Sequence, residues 1–499
     1  MSNAAETAAR TFRAVNPATG QPEGPEHRVT TLAELKELGA RAKEAFRAYS
    51  RLPGSQRAAF LRAAADGLDA ATDSLVPLAM AETALPEARL RGEVLRTSNQ
   101  LRMFAGLIED DAWLGARVDP GDPDRKPAPK PDVRAIRRPL GPVAVFGASN
   151  FPFAFSVAGG DTAAALAAGC TVLAKAHPGH PGTSQQVADI IVAAAASTGM
   201  PAGVFALVMD DGHEVGAALV QLPVVKAVGF TGSRAGGDAL TRLASSRPEP
   251  IPVYAEMGSV NPVFVLPRAA AERGGEVAEG LFGSFTLGVG QFCTNPGVVL
   301  LPAGSEGDAV AQRLTELTEG AQAGTMLNAR VCELYGRGLS ELEAAGGQPL
   351  AKGQAGAGAT EGVPTLWQAP LAAALAEPAL VSEVFGPSTL LLRYDSQDQL
   401  LEFAESMEGQ LTATLQGQPA ELSEQDELVE ALATKAGRVI VNQWPTGVEV
   451  GPAMVHGGPY PATSDGRGTS VGTLAIDRYT RWVAYQNFPQ ELLPAALKQ

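Results

Sequence analysis

Pro142-Val143-Ala144-Val145-Phe146-Gly147 begins the part of the chain whose reading decides the fold, because from here to Leu266 short apolar runs alternate with helical patterns. The runs are Val143-Ala144-Val145-Phe146, Thr171-Val172-Leu173-Ala174, Val204-Phe205-Ala206-Leu207, Val225-Lys226-Ala227-Val228 and Val263-Phe264-Val265-Leu266. Ala- and Val-rich stretches, such as Ala188 to Ala196, lie between them. Continuous apolar runs suit strands covered on both faces, and the intervening helices supply the cover. The alternation predicts βαβ units and a parallel sheet, an α/β fold.

Toward the N-terminus, from Thr31 to about Leu107, apolar residues such as Leu32, Leu35, Leu38, Ala42 and Ala45 recur at helical spacing and predict several amphipathic helices. Asp119-Pro120-Gly121-Asp122-Pro123 and Lys126-Pro127-Ala128-Pro129-Lys130-Pro131 then exclude helix, since proline fixes φ and lacks an N–H. This linker leads into Val133-Arg134-Ala135-Ile136-Arg137-Arg138, which alternates like an edge strand. Downstream, a second unit is expected from about Glu256 to Val441, with Gly353 to Gly358 as a surface loop.

The chain's 499 residues, 45% of them hydrophobic, are enough for two or three domains with large cores. A net charge of −15 argues against nucleic acid and anionic membranes as partners, because both require a basic surface. The three cysteines, Cys170, Cys293 and Cys332, are too scattered for a disulfide framework and suit a reducing cytoplasm. The five histidines show no local metal-ligand spacing, so no metal is expected. Met1-Ser2-Asn3-Ala4-Ala5-Glu6 has no signal-peptide pattern, and no apolar run is long enough to span a membrane.

Chemistry concentrates in Gly288-Val289-Gly290-Gln291-Phe292-Cys293-Thr294, downstream of Glu256-Met257-Gly258-Ser259-Val260-Asn261-Pro262. A thiolate attacks a carbonyl, and the thioester that follows needs a base-activated water to leave as an acid. The two segments supply that nucleophile and that base. Taken alone, other notable residues have plainer readings: Asn150 as a turn residue, Lys175 as a surface lysine past a strand, and Gly229-Phe230-Thr231-Gly232-Ser233 as a strand-to-helix turn.

With Gly147-Ala148-Ser149-Asn150-Phe151-Pro152 and Glu383-Val384-Phe385-Gly386-Pro387, these segments resemble, in their order, the aldehyde dehydrogenase superfamily. The likeness runs from Val15-Asn16-Pro17-Ala18-Thr19-Gly20 to Tyr485-Gln486-Asn487. It implies a Rossmann-like cofactor domain from residues 1–118 and 140–255, an α/β catalytic domain at 256–450, and a small β oligomerisation arm and C-terminal segment at 119–139 and 451–499. It further implies Cys293 as nucleophile, Glu256 as base for thioester hydrolysis, and Asn150 with the Cys293 N–H as an oxyanion hole. A branch of the family that passes the acyl group to coenzyme A does not need the glutamate, so Glu256 argues for hydrolysis. A non-catalytic module retaining the fold is a further alternative, against which the presence of Cys293, Glu256, Asn150 and Lys175 argues.

The resemblance implies a dinucleotide held by Lys175 at the adenosine ribose, by Gly229, Thr231, Gly232 and Ser233 near the pyrophosphate, and by Glu383 at the nicotinamide ribose. No G-x-G-x-x-G follows the first strand, so the binding mode is a variant one. Pro178 stands where NAD-preferring members often carry a glutamate, and His213 is a candidate for the 2′-phosphate, so NADP is expected to be preferred and NAD accepted. Within the superfamily the likeness is closest to bacterial α-ketoglutaric semialdehyde dehydrogenases, on Ser156 to Thr162, Ala176 to Ser184 and His456 to Asp465. Those enzymes oxidise 2,5-dioxopentanoate to 2-oxoglutarate, and a fatty-aldehyde group shares much of the first two segments. Arg467 is then the candidate for the substrate's distal carboxylate, and Phe155 and Phe292 for the walls of the aldehyde channel. The strand near Val133 and the stretch Trp482-Val483-Ala484-Tyr485-Gln486 both read as edge strands, which points to a homodimer or homotetramer.

Overall fold

The computed structural model describes residues 10–498, and the segment Met1 to Glu6, read above for a leader pattern, lies outside them. Among the described residues no helix is long and apolar enough to cross a membrane.

Five strands, all parallel, form one sheet in the order Phe205–Val208, Val172–Lys175, Val143–Phe146, Ala227–Thr231, Val253–Glu256. The first of these in the chain is central, and the winding reverses between it and Ala227–Thr231. Side by side at that reversal, Phe146 is in register with Phe230. The loops that leave these two strands therefore open onto one crevice at the carboxyl ends, the position where doubly wound sheets bind ligands. All four residues of Val143–Phe146 are buried, in keeping with cover on both faces.

Two details differ from the sequence expectation. The run beginning at Val263 pairs in a different sheet, and the fifth strand here is Val253–Glu256. Pro250 and Pro252 punctuate its approach and a carboxylate ends it, so its apolar signal is weak. The predicted run at Val225 also begins two residues early, as the strand is Ala227–Thr231.

Four helices, Leu32–Tyr49, Gly54–Ala70, Thr72–Thr83 and Glu87–Leu107, occupy the region read as helical. The first starts with a capping box in which Thr31 and Glu34 satisfy each other's backbone N–H groups. Tyr49, Phe60, Leu61, Leu90 and Phe104 pack with Val143, Val172 and the helix Gly160–Ala168 in one core.

A second sheet runs Gln348–Lys352, Thr365–Pro370, Ser388–Tyr394, Val298–Pro302, Val263–Val265, Gln410–Gln416, Ala436–Val441, parallel except for its first strand. Phe264, Leu300, Leu392 and Leu415 fill one of its faces and Val263, Leu301, Leu314 and Phe285 the other.

A third, antiparallel sheet has the order Thr480–Gln486, Val133–Pro139, Arg117–Asp119. Val133–Pro139 is thus a middle strand and not the edge its alternation suggested. Alternation reports one buried face, and a middle strand in a small sheet has that too: Arg134 and Ile136 are buried and their neighbours partly exposed.

Candidate active site

Cys293 follows a backbone run, Gly288, Val289 and Gly290, in which all three residues have positive φ. A Cβ on Gly290 would collide with the Gly386 backbone, so only glycine fits there. Val289 holds a left-handed conformation that costs a β-branched residue about 1–3 kcal/mol. The far side of the loop is fixed by Asn261, whose Nδ2 donates to the carbonyls of Cys293 (2.8 Å) and Asn295 (2.9 Å). These constraints aim the half-buried thiol at two groups from remote segments.

Glu256 ends its strand with only 1% exposure, and His456 is equally buried. His456 Nε2 lies 3.1 Å from Glu256 Oε2 and 3.5 Å from Cys293 Sγ. Ser470 Oγ donates to the same Oε2 at 3.4 Å. Burial raises the Glu256 pKa, but His456, the thiol and Arg478 outweigh it and hold the carboxyl below its ordinary range. Burial and the Glu256 carboxylate push the Cys293 thiol well above its ordinary value. At neutral pH the thiol is therefore protonated and stands beside an ionised carboxylate. Its Sγ, the imidazole nitrogen and a carboxylate oxygen all lie within 4.8 Å of one another, a separation that a metal ion would also accept. The members of this cluster come from three distant segments, so no local ligand spacing marks it.

Asn150 is buried on the loop that leaves the central strand, and its Nδ2 donates to Gln291 O at 3.0 Å, two residues before the thiol. Among the described residues the Cys293 N–H has no protein acceptor. Phe151 stands between the two aromatics expected to line the channel, 5.2 Å from Phe155 and 5.5 Å from Phe292 between ring centroids. Phe155 also lies 6.2 Å from the His456 ring.

The expected cofactor residues lie along the crevice of the five-stranded sheet. Lys175 ends its strand, with Nζ donating to Ala176 O at 3.2 Å and approaching Asp210 O at 3.5 Å. Burial lowers its pKa, opposed by Asp210 and Asp211. Ser233 caps the helix Arg234–Ser245 by accepting from Gly236 N. Thr231 and Gly232 lead into that cap, while the Cβ that Gly229 lacks would collide with Tyr479 and Asp161. Gly229 therefore makes room for the Tyr479 hydroxyl and the Asp161 carboxylate. His213 is the exposed N-cap residue of Glu214–Gln221, and Pro178 sits half-buried in the turn before Pro181–Ser197. The N-terminus of that last helix is already filled by the Glu82 carboxylate, which accepts from Gly182 N at 2.7 Å and Thr183 N at 2.9 Å.

Glu383 accepts from Ser259 N at 3.3 Å. Burial of the carboxyl, with a contribution from the Glu256 carboxylate and against the Ser259 N–H, pushes it up to about 7. Arg467 does not reach the site: its side chain is 91% exposed and pairs with Asp465. A surface cleft of about 570 Å³, lined by Arg268, Tyr394 and Glu421, holds none of these residues.

The family model described as "Aldehyde dehydrogenase family" matches residues 4–484. The chain belongs to the aldehyde dehydrogenase family. Alpha-ketoglutaric semialdehyde dehydrogenase 2 of Azospirillum brasilense is 49% identical over 493 residues, covering 98% of this chain and 94% of that protein. Alpha-ketoglutaric semialdehyde dehydrogenase of Acinetobacter baylyi is 46% identical over 492 residues, covering 98% and 93%. Among solved structures, an aldehyde dehydrogenase of Brucella melitensis biovar abortus superposes with a TM-score of 0.80 at 22% identity, covering 96% of this chain and 94% of the other. An aldehyde dehydrogenase of Sinorhizobium meliloti gives 0.82 at 23%, covering 96% and 91%. These last two speak for the aldehyde dehydrogenase fold. The family makes the protein an NAD(P)-dependent aldehyde oxidoreductase.

The sequence reading assigned no role to His456, which stood within a quoted segment but carried no chemical signal of its own. It also passed over Arg89 and Arg96, whose place in an amphipathic helix looks like a solvated face.

Proposed function

We propose that this aldehyde dehydrogenase oxidises 2,5-dioxopentanoate (α-ketoglutaric semialdehyde) to 2-oxoglutarate by a thioester route ending in hydrolysis. The observation that carries the hydrolytic chemistry is the ionised, buried Glu256 beside the Cys293 thiol. The substrate rests on the names of two near full-length relatives.

In this reading His456, 3.5 Å from the Cys293 Sγ, takes the thiol proton and releases it to solvent, the thiolate forms a C–S bond with the aldehyde carbon, and Glu256 stays ionised for the later step. The Asn150 amide and the Cys293 N–H stabilise the oxyanion, each donor contributing about 3 kcal/mol. The dinucleotide, when bound, accepts the hydride that leaves this carbon. Glu256 then deprotonates a water, which attacks the thioester and breaks the C–S bond, returning the thiolate and releasing the carboxylic acid. Proton transfer within the cluster needs no metal.

Lys175, Thr231, Gly232 and Ser233 of the cofactor domain at residues 1–118 and 140–255, together with Glu383 of the catalytic domain at 256–450, are our candidates for holding the dinucleotide. The free N–H groups and positive end of Arg234–Ser245 suit a pyrophosphate. Pro178, which leaves no carboxylate against a 2′-phosphate, and His213 favour NADP over NAD. We further propose a cytoplasmic homodimer or homotetramer. The strand Thr480–Gln486 ends its sheet with Trp482 44% exposed, an edge suited to pairing with another subunit.

The test is a steady-state panel of 2,5-dioxopentanoate, other semialdehydes and linear aldehydes with both dinucleotides. The reading expects the highest kcat/KM for 2,5-dioxopentanoate with NADP. Long-chain aldehydes as the best substrates would favour the fatty-aldehyde alternative.

A further inference from the structure

The helix Glu87–Leu107 brings Arg89, Glu93 and Arg96 to one face by their spacing of four and three residues. That face points at the aldehyde channel. Arg89 lies over the rings of Phe151 (5.0 Å) and Phe292 (4.8 Å), and its Nη2 donates to Asn150 O at 2.6 Å. Arg96 lies over Phe155 (5.3 Å) and Phe151 (6.0 Å). Beneath them, Glu93 Oε1 accepts from Phe153 N (2.8 Å) and Ala154 N (3.0 Å), tying the helix to the loop that carries Asn150.

The two guanidinium groups differ in one respect. Arg89 is engaged with the backbone of Asn150 through Nη2 and leaves only Nη1 buried without a partner. Arg96 has no hydrogen bond to protein among the described residues, and its Nε and Nη2 are buried without a partner. A guanidinium held by aromatic faces and lacking an acceptor is one whose hydrogen bonds have been left for something else. Phe155 links it to the catalytic cluster, since the same ring that Arg96 covers lies beside His456. Two further cations near the cluster are already engaged: Arg438 donates to Pro445 O and Gly447 O, and Arg478 pairs with Asp161.

We infer that Arg96 is the anion-binding residue of the aldehyde channel, pairing with the distal carboxylate of an α-oxo-acid semialdehyde, and that Arg89 positions the Asn150 loop. The inference rests on the substrate class proposed above and replaces Arg467, which faces solvent. It gives a chain of net charge −15 a cationic point where an anionic substrate must enter. A planar guanidinium stacked on rings is pre-organised for a bidentate carboxylate, so lysine is an imperfect substitute.

The experiment compares kcat/KM for 2,5-dioxopentanoate and for pentanal, a neutral aldehyde of the same length, in wild type, Arg96→Met, Arg96→Lys and Arg89→Met. Arg96→Met is expected to lose about 100-fold on the carboxylated aldehyde, chiefly through KM, while pentanal oxidation stays within about threefold of wild type. Arg96→Lys should recover part of the loss, and Arg89→Met should lower kcat for both substrates alike. Because Arg96→Met is a change in a packed wall, product inhibition gives a second readout. 2-Oxoglutarate should compete with pentanal in wild type and about tenfold more weakly in Arg96→Lys. Equal losses on both aldehydes in Arg96→Met, or undiminished inhibition in Arg96→Lys, would overturn the inference. If wild type prefers 2,5-dioxopentanoate and Arg96→Met keeps that preference, only the assignment of Arg96 falls. If wild type shows no preference over pentanal, the substrate reading falls with it.

Discussion

At the rim of the five-stranded sheet, each expected polar contact comes from the turn that ends its own strand: Lys175 from Val172–Lys175, and Ser233 from the turn after Ala227–Thr231. Around Cys293 the reverse holds. His456 lies 163 residues from the thiol it touches, and Asn150 is 141 residues from the carbonyl it holds. The rim is made by local strand-turn-helix geometry, and the pocket by tertiary packing of distant loops. A change at the rim should therefore act on one ligand at a time, whereas a change in the pocket should act on the reaction as a whole.

The largest effect should come from Cys293→Ala. It should abolish aldehyde oxidation and leave dinucleotide affinity, measured by fluorescence titration, nearly intact. Loss of both together would break the separation between rim and pocket.

The pocket's electrostatics give a second test. With the Cys293 thiol held above its ordinary range, alkylation by iodoacetamide in the absence of cofactor should be slow near neutrality and rise as alkaline pH generates thiolate. Burial remains in Glu256→Gln but the neighbouring negative charge does not, so the alkylation profile should move to lower pH. A profile that does not move, or moves upward, would mean that the carboxylate does not act on the thiol. Cys170, buried and pushed up to about 11 by desolvation, should stay unmodified over the lower part of that range.

Lys175→Met sharpens the rim side of the comparison. It should raise KM for the dinucleotide about tenfold with little change in kcat or in the aldehyde KM. Smallest of all should be Cys170→Ser. Its Sγ packs in the core 3.4 Å from Tyr479 O, which a hydroxyl also reaches, so the cost should be about 1 kcal/mol in thermal unfolding with activity retained.

The same distinction explains what the sequence made legible. Four of the five runs in the opening stretch became strands of one parallel sheet, since four consecutive apolar residues state their environment locally. Val253–Glu256 did not, because prolines precede it and Glu256 ends it. The proposed nucleophile and base, Cys293 and Glu256, stood out through the resemblance of their segments. His456 was not, because its meaning lies in a contact that no spacing encodes. Arg96 was hidden for a related reason: the periodicity of Glu87–Leu107 was read from its apolar residues, and a charged residue between them looks solvated until the aromatic loop packs onto it. Arg467 drew attention for its charge in a polar loop, and that polarity marks the exposure it shows. The pairing of Val133–Pro139 with Thr480–Gln486 within one chain likewise required the fold to be seen.

The central claim is that Glu256 activates the water that frees the acid from Cys293. Rapid-quench mass spectrometry of Glu256→Gln, mixed with NADP and 2,5-dioxopentanoate, tests it most directly. The account predicts one burst of NADPH per active site, slow turnover afterwards, and a peptide carrying Cys293 heavier by the acyl group. Full turnover without a burst, and with no adduct on Cys293, would contradict it.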